Sequence, residues 1–170
     1  LPPQYKKFMP ILVMCVLTFL GLFRYEIGTD YDWYIVLFDT VKIDDLYPEP
    51  TFLLLVEFLH QFHFSYQVMF IAYELPIMLL LWSGIRYYTK DTEIQILIVA
   101  LYYCLQYFFS LNGIRQGLSM VLIFWGYRYC LERSLWKYLL VVALAASMHY
   151  SAVVAAVLYF VPTRVFSWYK

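Results

Sequence analysis

The sequence predicts an all-α integral membrane protein, on three observations. The 170-residue chain is 64% apolar and 22% aromatic with only 14% charged residues, well above the roughly 45 to 50% apolar content of a soluble domain. Its apolar residues gather into five segments, about 8–23, 66–85, 94–111, 114–131 and 135–161, each a plausible membrane-spanning helix. Its basic residues divide unevenly between the turns that join them. A single polytopic membrane domain over residues 1–170 is therefore expected. The chain begins at Leu1-Pro2-Pro3 without Met and stops at Lys170 just after a span, so the expectation extends to a longer bundle of which this is the N-terminal part.

The first segment, 8–23, follows Lys6 and Lys7, but no small-residue cleavage pattern precedes Arg24, so it reads as a retained span and not a signal peptide. Residues 24–65 form a long connecting segment that divides at Pro48-Glu49-Pro50. In its second half, 51–64, Glu57, His60 and Gln61 fall at i, i+3, i+4 spacing among leucines and phenylalanines, as an interfacial helix requires. A proline near its start suits a first turn. Spans 66–85, 94–111, 114–131 and 135–161 follow. Lys6, Lys7, Arg86, Lys90, Arg128, Arg133 and Lys137 would share one side, and between the first two spans the other side holds Arg24 and Lys42. By the positive-inside rule the N-terminus is cytoplasmic, segment 24–65 is external and Val161 ends outside.

Composition also excludes partners. Formal net charge is zero with no basic run, so no nucleic acid is expected. Cys15, Cys104 and Cys130 lie singly in three apolar segments, arguing against a metal or disulfide framework. Glu57, His60 and His63 do not share one helix face, so no metal site is expected there either.

Arg115 carries the functional argument. Only twelve uncharged residues separate it from Arg128, and thirteen helical steps cover roughly 20 Å against a hydrocarbon core of about 30 Å. One guanidinium is held at membrane depth, where it costs at least ~2.5 kcal/mol and demands an anionic partner. One reading is capture of a phosphate or pyrophosphate by the guanidinium fork at a helix N-terminus, with Gln116 and Asn112 beside it. The alternative is an internal ion pair, for which Glu74, midway along the second span, is the candidate. Arg24 ends a short first span and is either a second anion-binding group or a snorkelling side chain. Asp30 and Glu49, acids of the external segment, are candidate general bases, beside their ordinary reading as turn formers. His149, expected near or above the midplane of the fifth span, is a proton-transfer or hydrogen-bonding group, or else a buried neutral histidine. Ala145, Ala146, Ser147, Ser151 and Ala152 permit close helix approach around it.

Taken in order, Phe23-Arg24 with Gly28-Thr29-Asp30-Tyr31 and Tyr34, then Glu49-Pro50-Thr51-Phe52, then Asn112-Gly113-Ile114-Arg115-Gln116, then His149-Tyr150-Ser151-Ala152 resemble the EpsG family of bacterial exopolysaccharide polymerases, grouped with Wzy-type O-antigen polymerases. The resemblance implies a membrane glycosyltransferase at the outer face of the bacterial cytoplasmic membrane. Such an enzyme joins repeat units carried on undecaprenyl pyrophosphate for exopolysaccharide, capsule or O-antigen, without nucleotide sugar, metal or other cofactor. Arg24, Arg115 and Gln116 would hold the pyrophosphate, and Asp30, Glu49 or His149 would orient or deprotonate the acceptor hydroxyl. Its partners would be the lipid-linked oligosaccharide, the bilayer and other membrane proteins of polysaccharide assembly. A glycan ligase, a polysaccharide transporter or flippase, and a purely structural membrane partner are the competing readings.

Overall fold

The computed structural model describes residues 8–45 and 47–161; Lys6 and Lys7, used above to orient the chain, lie outside the described residues. Those residues are helical with no strand: α1 (Met9–Leu22), α2 (Tyr31–Thr40), α3 (Pro50–Gln61), α4 (Tyr66–Tyr88), α5 (Thr92–Asn112, with a π-helical turn at Tyr103–Tyr107), α6 (Ile114–Gly126), α7 (Arg128–Leu131), α8 (Leu135–Met148) and a 3-10 segment, Tyr150–Phe160. Two of the five expected spans, α4 with 23 residues and α5 with 21, are long and apolar enough on their own to cross a bilayer. The helices α1 and α8 and the 3-10 segment are apolar but shorter.

Burial supports the membrane class in a way composition alone does not. The outward faces carry Leu12, Phe19, Leu79, Leu97, Leu105 and Leu140 exposed, while Arg24, Glu49, Glu74 and Arg115 are buried. A soluble protein has the opposite distribution. An apolar exterior around a charged interior is what a hydrocarbon solvent selects. The central helix α4 packs against α1 on one side and α6 on another, and α6 packs in turn on α8.

The chain departs from expectation at the fifth span. Residues 135–161 are not one helix. The helix α8 stops at Met148, His149 is extended (φ −156°, ψ 116°), and the 3-10 segment turns back along α8. Tyr138 stacks on Tyr159 at 6.3 Å and donates from its hydroxyl to the Ala155 carbonyl at 2.7 Å, and Arg133 donates to the Tyr159 carbonyl at 3.3 Å. Val161 therefore returns to the end of the bundle that holds Arg133, not to the opposite one. The small residues read as aids to helix approach serve this hairpin: Ala145 and Ala152 are both buried, and bulkier side chains would hold the two strokes apart.

The helix expected over 51–64 runs from Pro50 to Gln61, with Pro50 in its first turn and Phe52, Leu53, Val56 and Leu59 on the buried face. A further helix, α2, precedes it and was not anticipated. Its buried residues Tyr31, Tyr34, Leu37 and Phe38 recur at helical spacing, a signal obscured by the aspartates and aromatics between them.

Candidate functional site

Three chain segments meet at one end of the bundle, around the junction of α5 and α6. The turn after α1 docks on Asn112, whose Oδ1 accepts from the Thr29 amide at 2.7 Å. Gly28 makes that approach possible. Its φ of +103° lies in the left-handed region, and a Cβ there would stand 2.6 Å from Asn112 Oδ1, so neither backbone nor space admits a side chain. The start of α3 is tied to the end of α8, because Thr51 Oγ1 donates to the Ser147 carbonyl and lies 3.0 Å from Ser147 Oγ. This contact carries Glu49, the residue just before α3, over to His149, the residue just after α8.

Glu49 is the hub. One carboxylate oxygen, Oε2, accepts from Arg115 Nη1, and the other, Oε1, lies 2.8 Å from His149 Nδ1. Arg115 Nη2 donates to the Tyr47 hydroxyl at 3.0 Å. The Glu49 side chain is 3% exposed and that of His149 30%, so the chain of contacts runs from the interior to an accessible imidazole. Aromatic rings wall the guanidinium, with Phe52 at 5.4 Å and Tyr34 at 5.9 Å from its central carbon. Burial pushes the Tyr34 phenol above its ordinary value, against the opposing pull of Arg115. It stays a neutral hydroxyl.

The internal partner of Arg115 is thus Glu49, and not Glu74, the candidate of the ion-pair alternative. Glu74 lies instead against Gly21, where a Cβ would come within 2.5 Å of its carboxyl carbon, and it is the acidic neighbour of Arg24. Nor does Arg24 snorkel. It is 2% exposed, donates from Nη1 to the Leu111 carbonyl and sits 4.0 Å over the Phe70 ring. Its Nε and Nη2, and Arg115 Nε, are buried without a hydrogen-bond partner. Since Leu111 is four residues before Arg115, both arginines converge on one short stretch of backbone.

The other expected residues lie at the rim. Asp30 is exposed at the start of α2, accepting from Thr29 Oγ1 at 3.2 Å, and contributes to the electrostatic surroundings of Tyr34. Gln116 does not join the Glu49 hub. It lines a neighbouring groove of about 350 Å³ between α6 and the 3-10 segment, with Ser119, Met120, Ile123, Ser151 and Ala152 among its walls. Sequence reasoning missed Tyr47 and the Thr51–Ser147 tie. The only signal for Tyr47 was its place beside the Pro48-Glu49-Pro50 corner. Among the described residues no group of three His, Cys, Asp or Glu is placed to hold a metal ion.

The class so defined is an all-helical bundle, apolar on its outside, with two helices long and apolar enough to cross a membrane and an arginine–carboxylate–histidine chain at one end. The chain belongs to the EpsG family, whose model matches residues 6–170. No curated protein and no solved structure matches it.

Proposed function

We propose that this EpsG-family protein is a Wzy-like membrane glycosyltransferase that polymerises oligosaccharide repeat units carried on undecaprenyl pyrophosphate. It would act at the outer face of the bacterial cytoplasmic membrane in exopolysaccharide, capsule or O-antigen synthesis. The observation that carries this reading is the Arg115–Glu49–His149 chain, because it joins a fixed cation to an orientable base through one carboxylate.

The hydrogen bonds support a division of labour. Both oxygens of Glu49 are engaged, so it positions and does not abstract. With Nδ1–H directed at Glu49, the His149 imidazole keeps Nε2 as a proton acceptor. The acceptor sugar hydroxyl gives its proton to Nε2 as its oxygen bonds to the donor's anomeric carbon. The bond from that carbon to the pyrophosphate oxygen breaks, and its electron pair leaves with undecaprenyl pyrophosphate. Arg115 and Arg24, with N–H groups not yet engaged, would stabilise the charge developing on that leaving group. Positive charge held by the protein makes a metal unnecessary to this step. Asp30 would orient the acceptor at the rim, and the groove beside Gln116 would take the donor next to its pyrophosphate.

The test is extension of a purified lipid-linked repeat unit by the purified protein in detergent. A ladder of products is expected, lost in His149→Ala. Buried Arg24 and Glu74, charged neighbours inside the bundle, also suit a transporter. Movement of the lipid-linked unit across vesicles without any ladder in detergent would establish that reading instead. Transfer of finished glycan to a different acceptor would establish a ligase.

A further inference from the structure

The end of the bundle away from Glu49 carries a second arrangement that the proposed chemistry does not use. Along one face of α4, Leu79, Trp82, Ser83 and Arg86 fall at helical spacing, and with Lys90, just past the helix end, they line a groove of about 430 Å³ closed on its far side by Arg128. Its character changes along its length. Leu79 is an exposed apolar side chain and Trp82 is half-buried, while Arg86, one turn further on, and Lys90, beyond the helix end, are exposed cations.

Arg128 is fixed in place. Its Nε donates to the Trp125 carbonyl at 2.9 Å, and its guanidinium lies 4.0 Å over Trp125 and 4.8 Å from the Tyr87 ring. Its Nη2 is buried with no hydrogen-bond partner. Glu132 accepts from the Tyr87 hydroxyl at 2.9 Å and forms no ion pair with Arg128 among the described residues, and Asp91, which follows Lys90, accepts from the Glu93 amide at 2.8 Å at the start of α5; neither acid lines the groove. Three cations therefore line one groove whose own lining holds no carboxylate. Basic pockets of this kind between membrane helices recognise lipid phosphates.

We propose that this groove binds an anionic phospholipid, with the headgroup phosphate between Arg86, Lys90 and Arg128 and the first part of an acyl chain along Trp82 and Leu79. The polarity gradient chooses the occupant. A soluble phosphate would use the cations and leave the apolar half unfilled, and a zwitterionic lipid brings its own cation into a site that already holds three. Ser83, whose Oγ accepts from Trp125 Nε1 at 3.3 Å, stands where the glycerol region would lie.

Thermal unfolding of the full-length protein in detergent, with phosphatidylglycerol, phosphatidylcholine or inorganic phosphate added, tests this directly. Phosphatidylglycerol is expected to raise the midpoint, and the other two to leave it unchanged. The double variant Arg86→Gln/Lys90→Gln, both exposed and outside the packed core, should need roughly tenfold or more phosphatidylglycerol for the same rise. Lys137→Gln, a cation at the same end but outside the groove, should respond as the parent does. Equal response of the double variant and the parent would overturn the proposal. So would an equal rise with phosphatidylcholine, and an equal rise with inorganic phosphate would assign the groove to a soluble anion.

Discussion

Glu49 spends one oxygen on Arg115 and the other on His149, so removing its charge acts on both partners at once. Glu49→Gln strands a buried guanidinium and loosens the imidazole, and the expected result is a loss of roughly 10³-fold or more in chain extension. The same change should destabilise the protein by about 3–5 kcal/mol, read as a lower unfolding midpoint, because an unpaired buried charge remains. Removing both charges with Arg115→Met/Glu49→Leu should recover much of that stability and none of the activity. Arg115→Lys separates charge from shape. It keeps the cation but cannot hold Glu49 and Tyr47 together, so extension should nearly vanish while the protein still folds and inserts. Full activity of that variant would reduce Arg115 to a structural counter-ion. At this scale the residue types were legible in advance, since a charge in an apolar run announces its own cost. The pairing was not, because Glu74 and Glu49 are equally acidic on paper. Only the packing of Glu74 beside Gly21 and Arg24 assigns it elsewhere.

The turns that aim these side chains matter as much as the helices. Gly28→Ala would place a Cβ 2.6 Å from Asn112 Oδ1 at a φ of +103°, costing about 1–3 kcal/mol. The unfolding midpoint should fall accordingly, with activity lower as the Arg24 turn leaves the α5–α6 junction. Tyr138→Phe tests the hairpin of α8 and the 3-10 segment. It removes the bond to the Ala155 carbonyl and should cost about 1 kcal/mol. A fifth helix without a break would leave that substitution silent. The break was invisible to hydropathy because apolar residues continue on both sides of His149, and an average over composition does not register a reversal of direction. The π turn at Tyr103–Tyr107 escaped for a related reason. It is held by tertiary bonds, the Tyr107 hydroxyl donating to the Leu17 carbonyl at 2.8 Å, and no local preference encodes it.

Across the whole molecule, the charges divide between two ends joined by apolar helices. One end gathers Arg24, Glu49, Arg115 and His149, and the other Arg86, Arg128, Arg133 and Lys137. The hairpin makes a topological prediction. In a background lacking Cys15, Cys104 and Cys130, single cysteines at Glu132 and Val161 should react with an impermeant maleimide from the same side, and one at Thr29 from the opposite side. Labelling of Val161 together with Thr29 would restore a fifth span running the full length.

The amino-acid sequence by itself determined the all-helical class of this protein, the two helices long and apolar enough to cross a membrane and the family, because apolar excess, helix length and motif order are properties of the chain alone. It also singled out Arg115, Glu49 and His149 as candidates, since a charged or ionisable group among apolar neighbours is conspicuous wherever the chain goes. Tertiary structure alone decided that Glu49 and not Glu74 takes Arg115, that His149 ends a helix instead of sitting within one, and that Val161 turns back. Each of these depends on which surfaces meet. A carboxylate finds its cation by proximity in space, and segments from residues 49, 115 and 149 become neighbours only after the bundle has packed.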